Sequence, residues 1–319
     1  MNKPLIFIKL CLFSTLLFGH QISFAQIEIT DSHGKYSFKK PPEKVVVLNW
    51  ALAEQMLELG VTPSGMADID GFTKHASKPS VPSEVVDVGD RLSPNLAKLK
   101  ELEPDIIMIG YSQRSLLRPL SNIATVIYFK NFGARYNNFD KSRERFLELA
   151  KLFDKTELAK QKLTYLDAQL VDLKTSLLRE FAKLKIASPA VQINVPSSND
   201  SKTWLFGKNS MPYYAASALG LDIVSTQETN QYGVSMVDDA ELTKILAPYQ
   251  ENSSNQNNTY LCQLRLTSYA QEDFSKAPSN TTSNTNCVAD LTYQNAFGGT
   301  MSVLYLAESI YKALIENLD

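Results

Sequence analysis

The longest pattern in the sequence is an apolar stripe between Asp154 and Leu184. Leucine or phenylalanine recurs there every three or four residues, at Leu163, Leu166, Leu170, Leu173, Leu177, Phe181 and Leu184. This spacing places them on one face of an α-helix, with polar residues on the other faces. Asp154 and Glu157 have the spacing of a capping box at its start. At ~1.5 Å rise per residue such a helix would be roughly 45 Å long, about the height of a domain.

Strand patterns alternate with short helical patterns on both sides of this stripe. Before it, apolar runs predict strands at residues 27–29, 44–48, 64–67, 84–88, 106–109 and 125–128, and helices at 51–59, 95–102 and 114–121. After it, they predict strands at 190–195, 203–206, 222–224 and 260–266, helices at 211–219, 239–246 and 299–317, and a loop at 231–235. Such alternation is typical of largely parallel sheets with both faces covered.

These patterns predict an α/β protein with two Rossmann-like lobes, whose mostly parallel sheets are joined by one long α-helix. The predicted parts are an N-terminal α/β lobe at 26–138, a linker helix region at 139–187 and a C-terminal α/β lobe at 188–319. An ordinary long helix within one domain is the alternative. The stretches 251–258 and 279–286 are rich in Asn, Ser and Thr and are predicted to be exposed loops.

Residues 1–25 have the features of a cleavable secretory signal. Lys3 and Lys9 form a basic region, 10–18 is mostly apolar, and Ser23 and Ala25 place small residues at the −3 and −1 positions of a cleavage site before Gln26. The apolar run is too short for a typical membrane anchor, and a polar segment follows it. We therefore expect a soluble protein exported to the periplasm.

Charge and cysteine content further limit the class of protein. The formal net charge is −2, and no basic run favours nucleic acid as a partner. Cys262 and Cys287 are the cysteines left after residue 25. In an oxidising compartment two cysteines most simply pair, although two buried free thiols are the alternative.

The candidate binding residues follow predicted strands. Ligands of open parallel sheets bind beyond the carboxyl ends of the strands, and three such ends carry Asn49-Trp50, Asp90-Arg91 and Tyr111-Ser112. Each has a structural alternative, since Trp50 suits a core, Arg91 suits an ion pair with Asp90, and Tyr111 suits a loop. Their coincidence on one rim favours a binding role. In the second lobe the candidates are Tyr232, Ser235 and Phe297, although a lone aromatic residue in a loop more often serves packing.

The chain resembles the helical-backbone (class III) periplasmic binding proteins, and within them the ferric-hydroxamate (ferrichrome) binding proteins of bacterial ABC importers. The resemblance covers nearly the whole chain after residue 25. It is carried by VVVLNW at 45–50 with Glu54 and Leu59-Gly60, VDVGDR at 86–91 with Pro94-Asn95-Leu96, Glu103-Pro104-Asp105, Gly110-Tyr111, Tyr232-Gly233 and FGGT at 297–300.

The resemblance implies the roles of several residues. In that family an arginine and a tyrosine contact the iron-bound hydroxamate oxygens, and these fall at Arg91 and Tyr111. Aromatic residues of the second lobe close the site, and these fall at Tyr232 and Phe297, where the family has Trp and Tyr. Asn295 stands where a second aromatic residue is common.

Docking on the permease is less clear from the resemblance. The family often carries a glutamate at the position of Ala97, so either Glu54 or Glu101 replaces it or the first lobe docks differently. In the second lobe Asp239 and Glu241 are candidates, although acidic residues there also complement a helix dipole.

The sequence thus predicts a monomeric periplasmic receptor that binds a ferric siderophore, hydroxamate favoured, and delivers it to an inner-membrane ABC permease with its ATPase. A receptor for a citrate-type siderophore is the alternative, and haem or cobalamin is more distant. An exported enzyme is a different class, but the sequence lacks a nucleophile elbow, a phosphate-binding loop and a zinc motif. No cofactor or direct metal ligand is expected, because His33 and His75 are isolated and His75 falls in a predicted solvated loop.

Overall fold

The structure is a computed structural model. It describes residues 26–76, 78–133, 137–195, 202–226, 228–250, 261–267, 287–293 and 295–317. The predicted signal at 1–25 and the predicted loops at 251–258 and 279–286 lie outside the described residues. Within the described ranges, no helix combines the length and apolar character needed to cross a bilayer.

The first half is built on a parallel sheet. Its elements are β1 (Ile27–Thr30), β2 (Lys35–Phe38), β3 (Val45–Val47), α1 (Trp50–Glu58), β4 (Gly65–Met66), α2 (Ile69–His75), β5 (Val86–Asp87), α3 (Leu96–Glu101), β6 (Ile106–Ile109), a 3-10 segment (Tyr111–Leu116), α4 (Leu117–Ser121) and β7 (Thr125–Tyr128). The strands stand in the order β5-β4-β3-β6-β7, and every pair is parallel. All carboxyl ends therefore meet at one edge. The predicted strand at 27–29 is β1, whereas its hairpin partner β2 and helix α2 were not predicted, because both are short.

After β7 the chain forms α5 (Asn138–Leu152) and then α6 (Thr156–Leu184), the long helix that joins the halves. The predicted long helix is confirmed, and Leu163, Leu166, Leu170, Leu177 and Phe181 are buried along one face. The predicted capping box is wrong. Asp154 has a φ of 54° and lies in the tight turn between the helices, and the N-cap Lys155 makes no side-chain cap. The proximity of α5 explains this difference, since the turn, not a cap, fixes the start of α6.

The second half is built on a mixed sheet. Its elements are β8 (Ala190–Val195), β9 (Lys202–Phe206), α7 (Met211–Ala218), β10 (Asp222–Ile223), β11 (Val234–Asp238), α8 (Asp239–Gln250), β12 (Leu261–Arg265), β13 (Cys287–Asp290) and α9 (Ser302–Asn317). The order is β11-β9-β8-β12-β13, with β10 also paired to β8. β9 runs antiparallel to β8 and β11, and the other pairs are parallel. The predicted loop at 231–235 therefore already enters a strand at Val234.

The predicted disulfide is confirmed. Cys262 on β12 and Cys287 on β13 are register partners on neighbouring parallel strands, with their Cα atoms 4.6 Å apart. Two mainly parallel sheets joined through one long helix match the predicted fold class. The exact boundaries at 138 and 187 stay a prediction.

Candidate binding site between the two sheets

A cavity of about 500 Å³ lies where the carboxyl ends of the first sheet face the second half of the chain. Its first wall holds Trp50, Arg91 and Tyr111, and its second wall holds Trp204, Tyr232 and Phe297. The sequence-predicted rim is thus brought together, because β3, β5 and β6 are parallel and end at the same edge of the sheet.

Trp50 is fixed from two sides at the start of α1. Its indole N–H donates to the Ala67 carbonyl oxygen at 3.1 Å, and the ring is nearly buried. Asn49 caps the same helix through a hydrogen bond from the Leu52 N–H. The guanidinium of Arg91 lies 3.7 Å from the centre of the indole ring. Trp50 is therefore a rigid platform for Arg91, since its ring cannot turn without losing the hydrogen bond to Ala67.

Arg91 follows β5 and forms an ion pair with Asp68 at 3.6 Å between Nε and Oδ2. The alternative that it pairs with Asp90 is wrong. The Asp90 carboxylate instead accepts hydrogen bonds from the N–H groups of Leu92 and Ser93, which closes the turn after β5. Arg91 therefore points toward Trp50 and the cavity instead of folding back on its own loop.

Tyr111 begins the 3-10 segment directly after β6 and lies half-buried at the cavity. Arg114 and Lys130 approach its ring at 5.4 Å and 5.7 Å. Gly110 before it is needed for close packing, because a Cβ there would stand 2.4 Å from Asn49 Nδ2. The end of β6 can thus lie against the start of α1, which brings Tyr111 and Trp50 to the same cavity.

Aromatic rings from both halves meet at the back of the cavity. Tyr232 lies 5.3 Å from Phe132 and 5.7 Å from Phe297, between ring centroids. Phe206 supports Phe297 from behind at 5.9 Å. Such tilted and edge-to-face contacts are the favoured geometries for aromatic pairs. The structure thus places Tyr232 and Phe297 where the sequence predicted, and it adds Phe132 from the first half.

Ser235 does not line the cavity. Its hydroxyl forms hydrogen bonds with the Thr226 hydroxyl and the Glu228 carbonyl. Ser235 belongs to β11, where successive side chains point to opposite faces, so its neighbours Val234 and Met236 face the cavity instead. The prediction failed because 231–235 was treated as a loop without alternation.

Asn138 and Asn209 connect the two halves by hydrogen bonds beside the aromatic rings. The Asn138 side chain donates to the backbone oxygens of Asn209 at 2.8 Å and Gln231 at 3.0 Å, and Asn209 Nδ2 donates to the Gly133 oxygen at 2.8 Å. The Asn138 N–H also donates to Asn209 Oδ1 at 2.8 Å. Asn138 is fully buried. These bonds hold the segments of Phe132 and Tyr232 at a fixed separation.

Glu54 cannot dock on a permease, because its side chain is completely buried. Its carboxyl accepts hydrogen bonds from the Ser302 N–H at 3.1 Å, the Ser302 hydroxyl at 2.6 Å and the Asn295 amide at 3.1 Å. Burial raises the pKa of Glu54 to about 7. Gly298 has no room for a side chain here, since a Cβ would lie 2.4 Å from Glu54 Oε2. Glu54 is therefore an internal contact between the halves.

The other docking candidates are exposed. Glu101 ends α3, while Asp239 and Glu241 lie in the first turn of α8.

Glu58, one turn after Glu54 on α1, is also buried. Its carboxylate accepts hydrogen bonds from Lys162 on α6 at 2.6 Å and from the Tyr305 hydroxyl on α9. The buried face of α1 thus joins three helices by charge and hydrogen bonds.

Sequence reasoning missed several cavity residues, among them His75, Leu92, Trp204 and Met236. Trp204 and Met236 are register partners on β9 and β11, and both are more than a third exposed. The sequence carried no signal for this pair, because the fold sets both their exposure and their register. His75 ends α2 instead of lying in a solvated loop, and it packs 5.5 Å from the Trp50 ring. Burial, with Lys74 and Arg91 nearby, lowers the pKa of His75.

In the part of the chain that the structure describes, no group of three or more His, Cys, Asp or Glu side chains is arranged to hold a metal ion. The cavity instead presents aromatic rings, the guanidinium of Arg91 and the phenols of Tyr111 and Tyr232. A model of the periplasmic binding protein family matches residues 45–243, which include most of both cavity walls. The chain belongs to the periplasmic binding protein family.

Individual members of this family are similar over different spans. A crystal structure of the siderophore-binding protein FhuD from Vibrio cholerae with Fe³⁺-Desferal is 31% identical, with a TM-score of 0.74, and covers 86% of this chain and 98% of that one. The iron(3+)-hydroxamate-binding protein FhuD of Escherichia coli is 29% identical over 61% of this chain and 64% of its own length. The Fe(3+)-citrate-binding protein YfmC of Bacillus subtilis is 32% identical over 48% of each chain. The matches thus span about half to two thirds of these curated relatives.

Proposed function

We propose that this binding protein captures a ferric siderophore, preferably a hydroxamate, in the cavity and delivers it to an inner-membrane ABC permease. The proposal rests on one observation. Arg91 and Tyr111 line one wall of the cavity, and Tyr232 and Phe297 line the other. One wall offers hydrogen-bond donors and the other offers apolar rings.

This combination suits a cargo that already satisfies its metal. A siderophore surrounds iron with its own oxygens, so the protein has to supply donors for those oxygens and an apolar surface for the organic shell. Arg91 is held on Trp50 and Tyr111 lines the same cavity, so both can donate to oxygens that carry partial negative charge. The ion is then substrate and not a cofactor of the protein.

Charge favours hydroxamate over citrate. Three hydroxamates each lose one proton and neutralise Fe³⁺, whereas citrate carboxylates leave the complex with excess negative charge. Of the described residues that line the cavity, only Arg91 is a lysine, arginine, aspartate or glutamate. The nearby carboxylate of Asp68 partly balances its positive charge. The similarity to a Desferal-bound protein agrees with this preference. The citrate-binding relative keeps a citrate complex as the second candidate.

The remaining parts of the proposal follow from the family. We infer a monomeric, non-catalytic receptor that is exported to the periplasm and needs no cofactor. Its surface carboxylates Glu101, Asp239 and Glu241 are the candidates for contact with the permease, because they are exposed on both halves. A receptor binds its cargo stoichiometrically and releases it unchanged, whereas an enzyme would turn it over.

The two tryptophans of the sequence make a direct test possible, since Trp50 and Trp204 both line the cavity. We expect ferric tris(hydroxamate) complexes to quench their fluorescence with one-to-one stoichiometry and to be recovered unchanged. Ferric citrate, ferric catecholates, haem and cobalamin complete the panel. Absence of saturable binding by every ferric complex would refute the receptor proposal, and chemical conversion of the ligand would favour an enzyme.

A further inference from the structure

We propose that Asp68 is a specificity-determining residue that sets the charge preference of the cavity. It does so by orienting Arg91 and balancing its charge, so that the site favours neutral ferric complexes over anionic ones. The inference deepens the proposed function and rests on it.

The position of Asp68 is built into the fold. It is the N-cap of α2, with a left-handed φ of 54°, and its carboxylate accepts a hydrogen bond from the Gly71 N–H at 3.2 Å. The backbone of the preceding residue, Ala67, holds the Trp50 indole. One short segment therefore supports both the platform under Arg91 and the carboxylate beside it.

The contacts of Arg91 make its orientation specific. Its Nε lies 3.6 Å from the Asp68 carboxylate, and its guanidinium carbon lies over the Trp50 ring, 3.7 Å from the ring centroid. The terminal Nη groups are then the donors left for a ligand oxygen. A guanidinium fixed in this way donates directionally with little surplus charge, because the carboxylate lies within ion-pair distance.

An anionic ligand would experience both charges of this pair. Attraction to Arg91 would be offset by repulsion from Asp68, whereas a neutral complex would need only the hydrogen bonds. Arg114 and Lys130 at the outer side of Tyr111 add positive charge. That contribution is the same with or without Asp68, so it cancels when variants are compared.

Asp68→Asn removes the charge with little other change. Asparagine is an equally good N-cap and tolerates left-handed backbone, so α2 and its turn are expected to form. Asp70→Asn is the matched control, because Asp70 lies on the same helix and is exposed. Asp68→Gly is a second neutral variant. Glycine accepts the same φ but removes the side chain that orients Arg91.

The probes are two ferric complexes of desferrioxamine B that share the iron centre and differ in charge. With its terminal amine acetylated the complex is neutral, and with the amine succinylated it is singly anionic. Dissociation constants are measured by tryptophan quenching at low ionic strength, since screening over ~10 Å at 0.1 M salt would reduce the effect. Thermal unfolding of each variant checks that it is folded.

We expect Asp68→Asn to shift the ratio of the two dissociation constants toward the anionic complex by about two- to fivefold, the size of one charge acting over ~10 Å at an effective dielectric constant of roughly 35–80, because the added carboxylate is solvated. Asp68→Gly should shift the ratio equally but weaken both complexes. Asp70→Asn should leave the ratio unchanged. An unchanged ratio in Asp68→Asn would overturn the inference while leaving the receptor function intact. A wild-type protein that binds neither complex would instead remove the proposed function and this inference together.

Discussion

The buried carboxyl of Glu54 makes the stability of this protein depend on pH in a way that one substitution can isolate. Glu54 lies on α1 of the first half and receives its hydrogen bonds from Ser302, Asn295 and, at 3.4 Å, the Tyr293 hydroxyl of the second half. Burial is the largest cause of its raised pKa of about 7, since the hydrogen bonds act in the opposite direction. Ionisation of Glu54 therefore costs free energy in the folded protein.

The sign of the effect follows from proton binding. The unfolded chain has the ordinary pKa of 4.5, so above that value the unfolded chain loses a proton that the folded protein keeps up to about pH 7. The stabilising contribution is complete below pH 4.5 and is lost as the pH rises through 7. With 1.36 kcal/mol for each pKa unit, the loss amounts to about 3 kcal/mol.

Glu54→Gln mimics the protonated carboxyl and cannot ionise. Urea unfolding between pH 5 and pH 8 should therefore show most of this loss, about 2–3 kcal/mol, in the wild type and none of it in the variant. At pH 5 the variant should lose only about 1 kcal/mol, because the Asn295 amide loses its acceptor. His75 titrates in both proteins, so its contribution cancels in the difference.

Glu101→Gln is the control for this experiment, since it removes an exposed carboxylate from the same half. Its unfolding free energy should follow the wild type at every pH. The reasoning would be refuted if Glu54→Gln kept the pH dependence of the wild type, because Glu54 would then not be the group that titrates.

Further predictions concern the site and the joint between the halves. Arg91→Ala should weaken hydroxamate binding by ~1.5–3 kcal/mol, the range for a charged hydrogen bond, and calorimetry showing unchanged affinity would exclude Arg91 from the site. Asn138→Ala should lower the free energy of unfolding by about 2–4 kcal/mol, because it removes several buried hydrogen bonds to Asn209 and its neighbours. A urea midpoint like that of the wild type would show that these hydrogen bonds do not stabilise the contact between the halves. Reducing the disulfide of Cys262 and Cys287 should cost about 3 kcal/mol in urea unfolding, and a smaller loss would indicate native-state strain. X-ray scattering of free and loaded protein should give nearly equal radii of gyration, since one rigid helix joins the halves, and a change of several ångströms would contradict this.

Much of the fold could be predicted because it depends on local periodicity. The stripe from Leu163 to Phe181 and the apolar runs of the parallel strands are properties of short segments, so their type is readable without knowing what they pack against. Elements of two to seven residues, such as β2 and α2, carry too few positions for a period. The start of α6 also escaped, because α5 and the turn at Asp154 determine it.

The binding site was likewise predictable only where local sequence determines the position of a side chain. Strand-end placement predicted Trp50, Arg91 and Tyr111, since parallel strands bring their carboxyl ends to one edge whatever the details of packing. It could not decide between Ser235 and its neighbours, because one residue of strand register exchanges the faces.

The sequence by itself determined which segments are helix or strand and which side chains follow the strands of the first sheet. Only the tertiary structure decided that Glu54 is buried, that Asp68 accompanies Arg91 and that Trp204 faces the cavity. These three facts depend on residues distant in the chain, and the environment of a side chain is set by whatever the fold packs against it.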